Sequence, residues 1–160
     1  MKFTPQSARG YILLAAFFIA LPTIGNFYKG HTGRFLIASS MIGSGEFQRS
    51  VVYVVEHGLF TGARGYIVNK PFEGRKGVFY GGPVETDDHR YTMHYAGRSR
   101  EYHGYAGWTP LQLEYEIIKG GWSVLPGDQA TIFTDDYERL WRMLDVRARG
   151  ESAPTAASIY

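Results

Sequence analysis

The stretch GYAGWTPLQLEYEIIKGGW, from Gly104 to Trp122, decides how the rest of the chain has to be arranged. Glycine-spaced aromatics run as a strand into Trp108. Thr109 is then placed to cap a helix, Pro110 suits its first position, and Gln112 stands three residues after the cap. Gly120 and Gly121 supply the stop. Residues four apart stack on a helix, so Leu113 and Ile117 share one face while Gln112 and Glu116 share another. The apolar face is expected to dock on a sheet, with Trp108, Gln112 and Glu116 offered to whatever lies beside it.

Composition limits what can be built around that helix. A chain of 160 residues with 44% apolar and 16% aromatic content can bury one core, which makes one domain the expectation. The absence of cysteine excludes a disulfide framework, thiolate zinc sites and a cysteine nucleophile. The net charge is +2 and the 17 Lys and Arg residues are scattered. That bias is too weak by itself to imply nucleic acid or an acidic membrane.

Between Arg9 and Lys29 lie nineteen uncharged residues, GYILLAAFFIALPTIGNFY. As a helix they would span about 28 Å, barely the hydrocarbon of a bilayer. Lys2 and Arg9 ahead of the apolar block from Tyr11 to Leu21 also fit a secretory signal, whereas Pro22, Gly25 and Asn26 weaken the second half as a membrane span. Three readings stay open: an uncleaved anchor, a cleaved signal, or a buried or mis-started segment of a soluble, cytoplasmic protein. Residues 1–30 are therefore set apart as a hydrophobic segment, 31–149 as the globular domain, and 150–160, rich in Ala, Ser, Thr and Pro, as a disordered tail.

Within the domain Phe35 to Ala38 reads as a short strand. Val51 to Val55 is apolar too continuously to be one-sided, and Ala63 to Val68 pairs with it in a hairpin. The hairpin tip carries Leu59 and Phe60 where polar residues are usual, a sign of contact with another layer, a partner or a membrane. Val78 to Tyr80, Tyr91 to Tyr95, Tyr102 to Ala106, Trp122 to Leu125 and Ala130 to Phe133 are expected strands, with a turn at Gly97-Arg98-Ser99-Arg100. Thr134 should cap a second helix, with Asp135 and Asp136 in its first turn, Arg147 and Arg149 near its end, and Tyr137, Leu140, Trp141 and Leu144 as its inner stripe.

These pieces resemble the AlgH/YqgE family. The matching residues are Leu36-Ile37-Ala38, Phe47, Arg49 to Tyr53, Glu56-His57, Gly62-Ala63 with Gly65, Asn69-Lys70-Pro71, and Phe79 with Gly81-Gly82-Pro83-Val84. They continue through Met93-His94, Gly104 to Trp108, Pro110, Gln112-Leu113-Glu114, Glu116-Ile117 and Trp122, in order from Gly33 to about Leu144. The resemblance implies an α+β fold in which a bent, bifurcated, mostly antiparallel sheet forms a partial barrel with helices packed on it. It also implies an unsettled function. The family name comes from a proposed role as a transcriptional regulator of alginate synthesis in bacteria, and no established catalytic activity travels with it. Leu111 stands where the family has a glycine at the helix start. The connectors before Val78 and before Tyr102 are shorter than the family's.

The candidate ligand-binding residues are Asn69, Gly81, Gly82, His94, Trp108, Gln112 and Glu116. Asn69, Trp108, Gln112 and Glu116 combine polar groups with aromatic surface beside glycine-rich backbone, as pocket linings do. Their plainer roles are to close the hairpin, to pack on the helix and to be solvated. Gly81 and Gly82 could present N–H groups to an anion, although Pro83 removes a donor and the stretch is no phosphate loop; a tight turn serves the sheet equally. His57 and His94 each lie at or near a strand end, but the five histidines show no metal-ligand spacing, so no metal and no cofactor are expected. Arg90, Arg98 and Arg100 interleave with Tyr91, Tyr95, Tyr102 and Tyr105, a mixture that can bind single strands; aromatics alternating on strands are more often core, and no reader motif is present.

From the residues alone the chain reads as a tethered or exported, non-catalytic regulatory or binding module for an unknown protein or small molecule, with nucleic acid not expected. The alternatives are a hydrolase or nucleotide-binding enzyme using His57 or His94 as base, with Gln112 or Glu116 positioning, and a nucleic-acid regulator.

Overall fold

In the computed structural model the described residues are 30–42, 45–85 and 90–150. The apolar segment 10–28 and residues 151–160 of the tail lie outside them. Among the described residues no helix is long and apolar enough to cross a membrane.

The strands in chain order are β1 (Arg34–Ala38), β2 (Val51–Gly58), β3 (Gly62–Ile67), β4 (Val78–Tyr80), β5 (Tyr91–Tyr95), β6 (Arg98–His103), β7 (Ala106–Trp108) and β8 (Trp122–Pro126). The helices are α1 (Gln112–Ile118), α2 (Gln129–Ile132) and α3 (Tyr137–Ala148). Five strands form one antiparallel sheet in the order β7-β3-β2-β1-β8, and three form a second in the order β4-β6-β5. In the small sheet β5 and β6 make an antiparallel hairpin while β4 joins β6 in parallel. The fold is thus α+β and mostly antiparallel, in two sheets that do not close, consistent with a partial barrel.

The continuity of the apolar runs has its expected meaning. Phe35 and Ile37 of β1 point into one core with Val51, Tyr66, Leu140 and Leu144, whereas Leu36 and Ala38 point into another with Val52, Val54, Ile67 and Leu113. The large sheet is therefore covered on both faces, by α3 and the small sheet on one side and by α1 on the other. Leu113 is 1% exposed, and burying it contributes about 2 kcal/mol.

Two expected elements are corrected. Ala130 to Phe133 is not a strand: Asp128 accepts the Thr131 N–H at 2.7 Å and its hydroxyl at 2.7 Å, and this capping winds Gln129–Ile132 into the single turn of α2. Its β-branched residues follow the cap. Nor is Gly97 to Arg100 a turn. The reversal needs only Ala96 (φ 48) and Gly97 (φ 75), so Arg98 to His103 all belong to β6, and β7 begins separately at Ala106.

Candidate functional site

The site is assembled where β7 hands the chain to α1. The helix starts later than the sequence pattern suggests. Gln112 Oε1 takes the Thr109 N–H at 3.0 Å, as in a capping box, but the Thr109 hydroxyl turns to the same oxygen at 3.0 Å instead of capping. Leu111 is left to make the turn at φ 64, and Gln112 is the first helical residue. At the other end the Gly120 and Gly121 N–H groups close on the Ile117 and Glu116 carbonyls, with Gly120 at φ 76, the glycine stop the sequence implied.

Trp108, Gln112 and Glu116 are brought together as expected, and Trp122 joins them. Glu116 Oε2 accepts the indole N–H of Trp108 at 2.9 Å and of Trp122 at 2.8 Å, while Oε1 accepts from the Gln112 amide at 2.9 Å. One carboxylate therefore receives three donors. Hydrogen bonds to a charged acceptor are the stronger kind, so the carboxylate fixes the angle of both rings. The rings meet edge to face at 5.9 Å, and Phe47 closes the group edge-on to Trp122 at 5.5 Å. Trp122 is missing from the set expected from the sequence, although two tryptophans bracket the short helix that carries Glu116.

Beside this aromatic wall lies an open cleft of about 430 Å³, lined by Thr61, Arg64, Val84, Tyr105, Trp108 and Gln112 among others. Arg64 and Glu56 make an exposed ion pair at 2.6 Å on its rim. Arg64 also stands over the Tyr105 ring, 5.9 Å from its centroid.

The remaining candidates lie elsewhere. Asn69 is buried and structural: its Oδ1 accepts the Val51 N–H at 2.8 Å and its Nδ2 donates to the Arg49 carbonyl at 2.9 Å. Gly81 and Gly82 press on the Gly104–Ala106 backbone, where an added Cβ would lie 2.2 Å and 2.3 Å from main-chain atoms. The Gly81 N–H is bound to the His103 carbonyl at 2.7 Å. Close approach of two chain segments, not an anion cradle, explains these glycines. His94 is exposed on β5 and borders a different cleft, also about 430 Å³, with Met93, Tyr53 and Phe133.

His57 does not join His94. It is buried under α1, with Nε2 at 2.8 Å from Glu114 Oε1 and Nδ1 accepting the main-chain N–H of His31 at 2.9 Å. Because Nδ1 accepts, the hydrogen-bond network assigns the proton to Nε2, which donates to the carboxylate. His31 stacks on His57 at 5.2 Å, and burial, then the neighbouring imidazole, lowers its pKa.

Of the basic-aromatic set, Arg100 and Tyr102 are turned inward, while Arg90, Arg98, Tyr91 and Tyr95 stay exposed. Arg100, 5% exposed, donates to the carbonyls of Val68, Ile132 and Thr134 and lies 4.3 Å over the Phe79 ring. Burial lowers its pKa, and burial raises that of neighbouring Tyr102 to about 12. Arg98 reaches the Phe133 carbonyl and Asp135, and Arg90 pairs with Glu101 at 3.1 Å. Tyr91 stacks on Tyr66 at 4.2 Å. A further cleft, about 760 Å³, lies beside Arg98 and Arg100 along the connector between Pro71 and Val78. Among the described residues no group of three or more His, Asp or Glu is placed to hold a metal ion.

The comparisons agree with the residue motifs. A family model described as AlgH-like matches residues 92–153. A UPF0301 protein of Chlorobium phaeobacteroides is 26% identical over 79% of this chain and 91% of its own. One of Streptomyces avermitilis is 29% identical over 78% and 90%. The first alignment is 173 positions long yet takes in only 79% of 160 residues, so the relative carries insertions that this chain lacks. The solution structure of AlgH from Pseudomonas aeruginosa superposes with a TM-score of 0.61, at 22% identity over 83% of this chain and 95% of that one. The crystal structure of a Corynebacterium diphtheriae protein gives 0.59, at 19% identity over 79% and 90%. Motifs, family model and relatives agree in making the chain similar to AlgH-like proteins of the UPF0301 group, a family of unsettled function.

Proposed function

We propose that the chain is a non-catalytic binding module whose ligand site is the cleft beside Trp108. The observation that supports this is the Glu116 carboxylate with its three donors. The group best suited by type to act as an acid or base is committed to holding an aromatic wall. A rigid, partly apolar wall with a few placed polar groups, here Thr61, Arg64 and Gln112, is what binding sites use. The ligand expected is a small molecule or peptide end that sets a flat apolar group on Tyr105 and Trp108 and an acidic group against Arg64. The enzyme reading would need His57 or His94 as base. His57 has both ring nitrogens engaged and His94 borders another cleft, so the geometry favours binding. By its sequence, segment 10–28 adds a tether or an export signal.

The test is a fragment screen on the full chain, followed by tryptophan fluorescence and amide shifts. Saturable binding that perturbs Trp108 and is lost in Arg64→Ala supports the reading. Binding that maps to His94, or turnover abolished by His57→Gln in a folded variant, overturns it.

A further inference from the structure

Five large apolar side chains among the described residues are more than half exposed: Ile118 (82%), Met41 (70%), Tyr115 (61%), Leu111 (53%) and Phe60 (51%). All five gather at one end of the molecule. Tyr115 and Ile118, three apart, share a stripe of α1 facing away from buried Leu113, and Leu111 stands at the turn immediately ahead of the helix. Met41 reaches the far end of the helix, where its methyl would lie 2.9 Å from a Cβ on Gly120. Phe60 sits at the β2–β3 tip, and the neighbouring Gly62 backs onto the Trp108 carbonyl and Thr109, just ahead of Leu111. Scattered exposed apolar residues need no explanation, but a gathered set does.

The chain also enters the domain at this end. The His31 N–H is held by His57, whose other nitrogen is held by Glu114 on the flank of α1. Only Lys29 and Gly30 separate His31 from the uncharged segment 10–28. Even fully extended, the step from Tyr28 to His31 covers about 10 Å, roughly the length of α1 itself.

We propose that the Leu111–Tyr115–Ile118 face of α1, extended by Met41 and Phe60, is a membrane-contact surface that rests on the bilayer to which segment 10–28 anchors the chain. A short tether beside the stripe presents it to lipid before any soluble partner can reach it. The chemistry suits the interface. Tyr115 is an aromatic with a polar tip, and the Lys119 ammonium, 5.4 Å over its ring, can reach the headgroups while the aliphatic residues enter the acyl boundary. Docked in this way, the module holds the Trp108 cleft at a fixed height above the membrane. The inference rests on the anchor reading of segment 10–28 and is independent of which ligand the cleft takes.

The chain has no cysteine, so Ile118→Cys and, on the exposed side of α3, Glu138→Cys each accept one environment-sensitive fluorophore without further change. The labelled full chain is reconstituted into vesicles of phosphatidylethanolamine and phosphatidylglycerol, with and without lipids bearing a nitroxide near the top of the acyl chain. The expected result is a blue shift and nitroxide quenching for the Ile118 label, neither for the Glu138 label, and loss of the Ile118 signal in the Leu111→Glu, Tyr115→Glu background. Equal solvent exposure of both labels overturns the proposal. So does protection of Ile118 that follows protein concentration and not lipid, which would assign the stripe to a second copy. An intact mass showing that the mature chain lacks segment 10–28 overturns it as well.

Discussion

Two corners of this molecule each satisfy the charge of one side chain, Arg100 buried and Glu116 half-buried, and they do it in opposite ways. Glu116 is satisfied by side chains, two indoles and an amide. Arg100 is satisfied by main chain, the carbonyls of Val68, Ile132 and Thr134. A charge held by backbone staples segments together, here the end of β3 to α2 and the residues before α3. Its role is structural. A charge held by side chains orients those side chains, and each can be replaced without moving the chain. The Glu116 corner can therefore vary its polar side chains while keeping its fold, as the proposed binding role requires.

That contrast can be broken by substitution. Trp108→Ala removes a 7% exposed ring from both the core and the cleft wall and should cost about 3–5 kcal/mol in urea unfolding. A cost below about 1 kcal/mol would show that the wall bears no weight in the fold. Arg100→Met leaves three carbonyls without their donor and should cost about 3 kcal/mol, with ligand binding at the Trp108 cleft unchanged. Altered binding would mean the staple reaches the cleft. Glu116→Gln keeps one carbonyl oxygen for two competing indoles. It should cost about 1–2 kcal/mol and, unlike Arg100→Met, shift the tryptophan emission.

Leu111 sharpens the comparison from the other side. An L-residue at φ 64 is strained, and the family's glycine at this position would carry no such penalty. Leu111→Gly should raise the free energy of unfolding by up to about 1 kcal/mol. A loss instead would mean the leucine side chain supports the fold. The smallest expected effect is on pH dependence. Burial holds the folded-state pKa of His31 below its unfolded value near 6.5. The unfolded chain therefore takes up the proton first, and stability present above about pH 6.5 should fall as pH drops through that value toward the lower folded pKa. His31→Gln should flatten the slope in that window, and an unchanged slope would assign it to other groups.

Much of the fold was legible because its signals are local. The two-faced burial of Val51 to Val55, the hairpin that follows, the glycine stop after Ile118 and the inner stripe of α3 all follow from spacing. The convergence of Trp108, Gln112 and Glu116 was legible too, since one helix carries two of them and abuts the third. What failed was decided by few residues or by distant ones. A capping Asp128 outweighed the β-propensity of Ala130 to Phe133. Arg100 looked like a surface residue of a basic strand because nothing nearby in sequence announces carbonyls contributed by positions 68, 132 and 134. The roles of Asn69, Gly81 and Gly82 likewise depend on segments about 20 residues away, on which local pattern is silent.

The pairing of β1 with β8 has a consequence for the order of synthesis. Phe35 lies opposite Leu125, so the strand that covers one edge of β1 is translated ninety residues after the strand it covers. At about 5–20 residues per second the nascent chain holds an unpaired, mostly apolar edge for several seconds. During that interval the ribosome-bound chain is a substrate for chaperones, and exposed strand edges recruit other chains. Slowing translation between the codons for Gly104 and Trp122 should therefore lower the soluble yield of the protein while leaving its final stability unchanged.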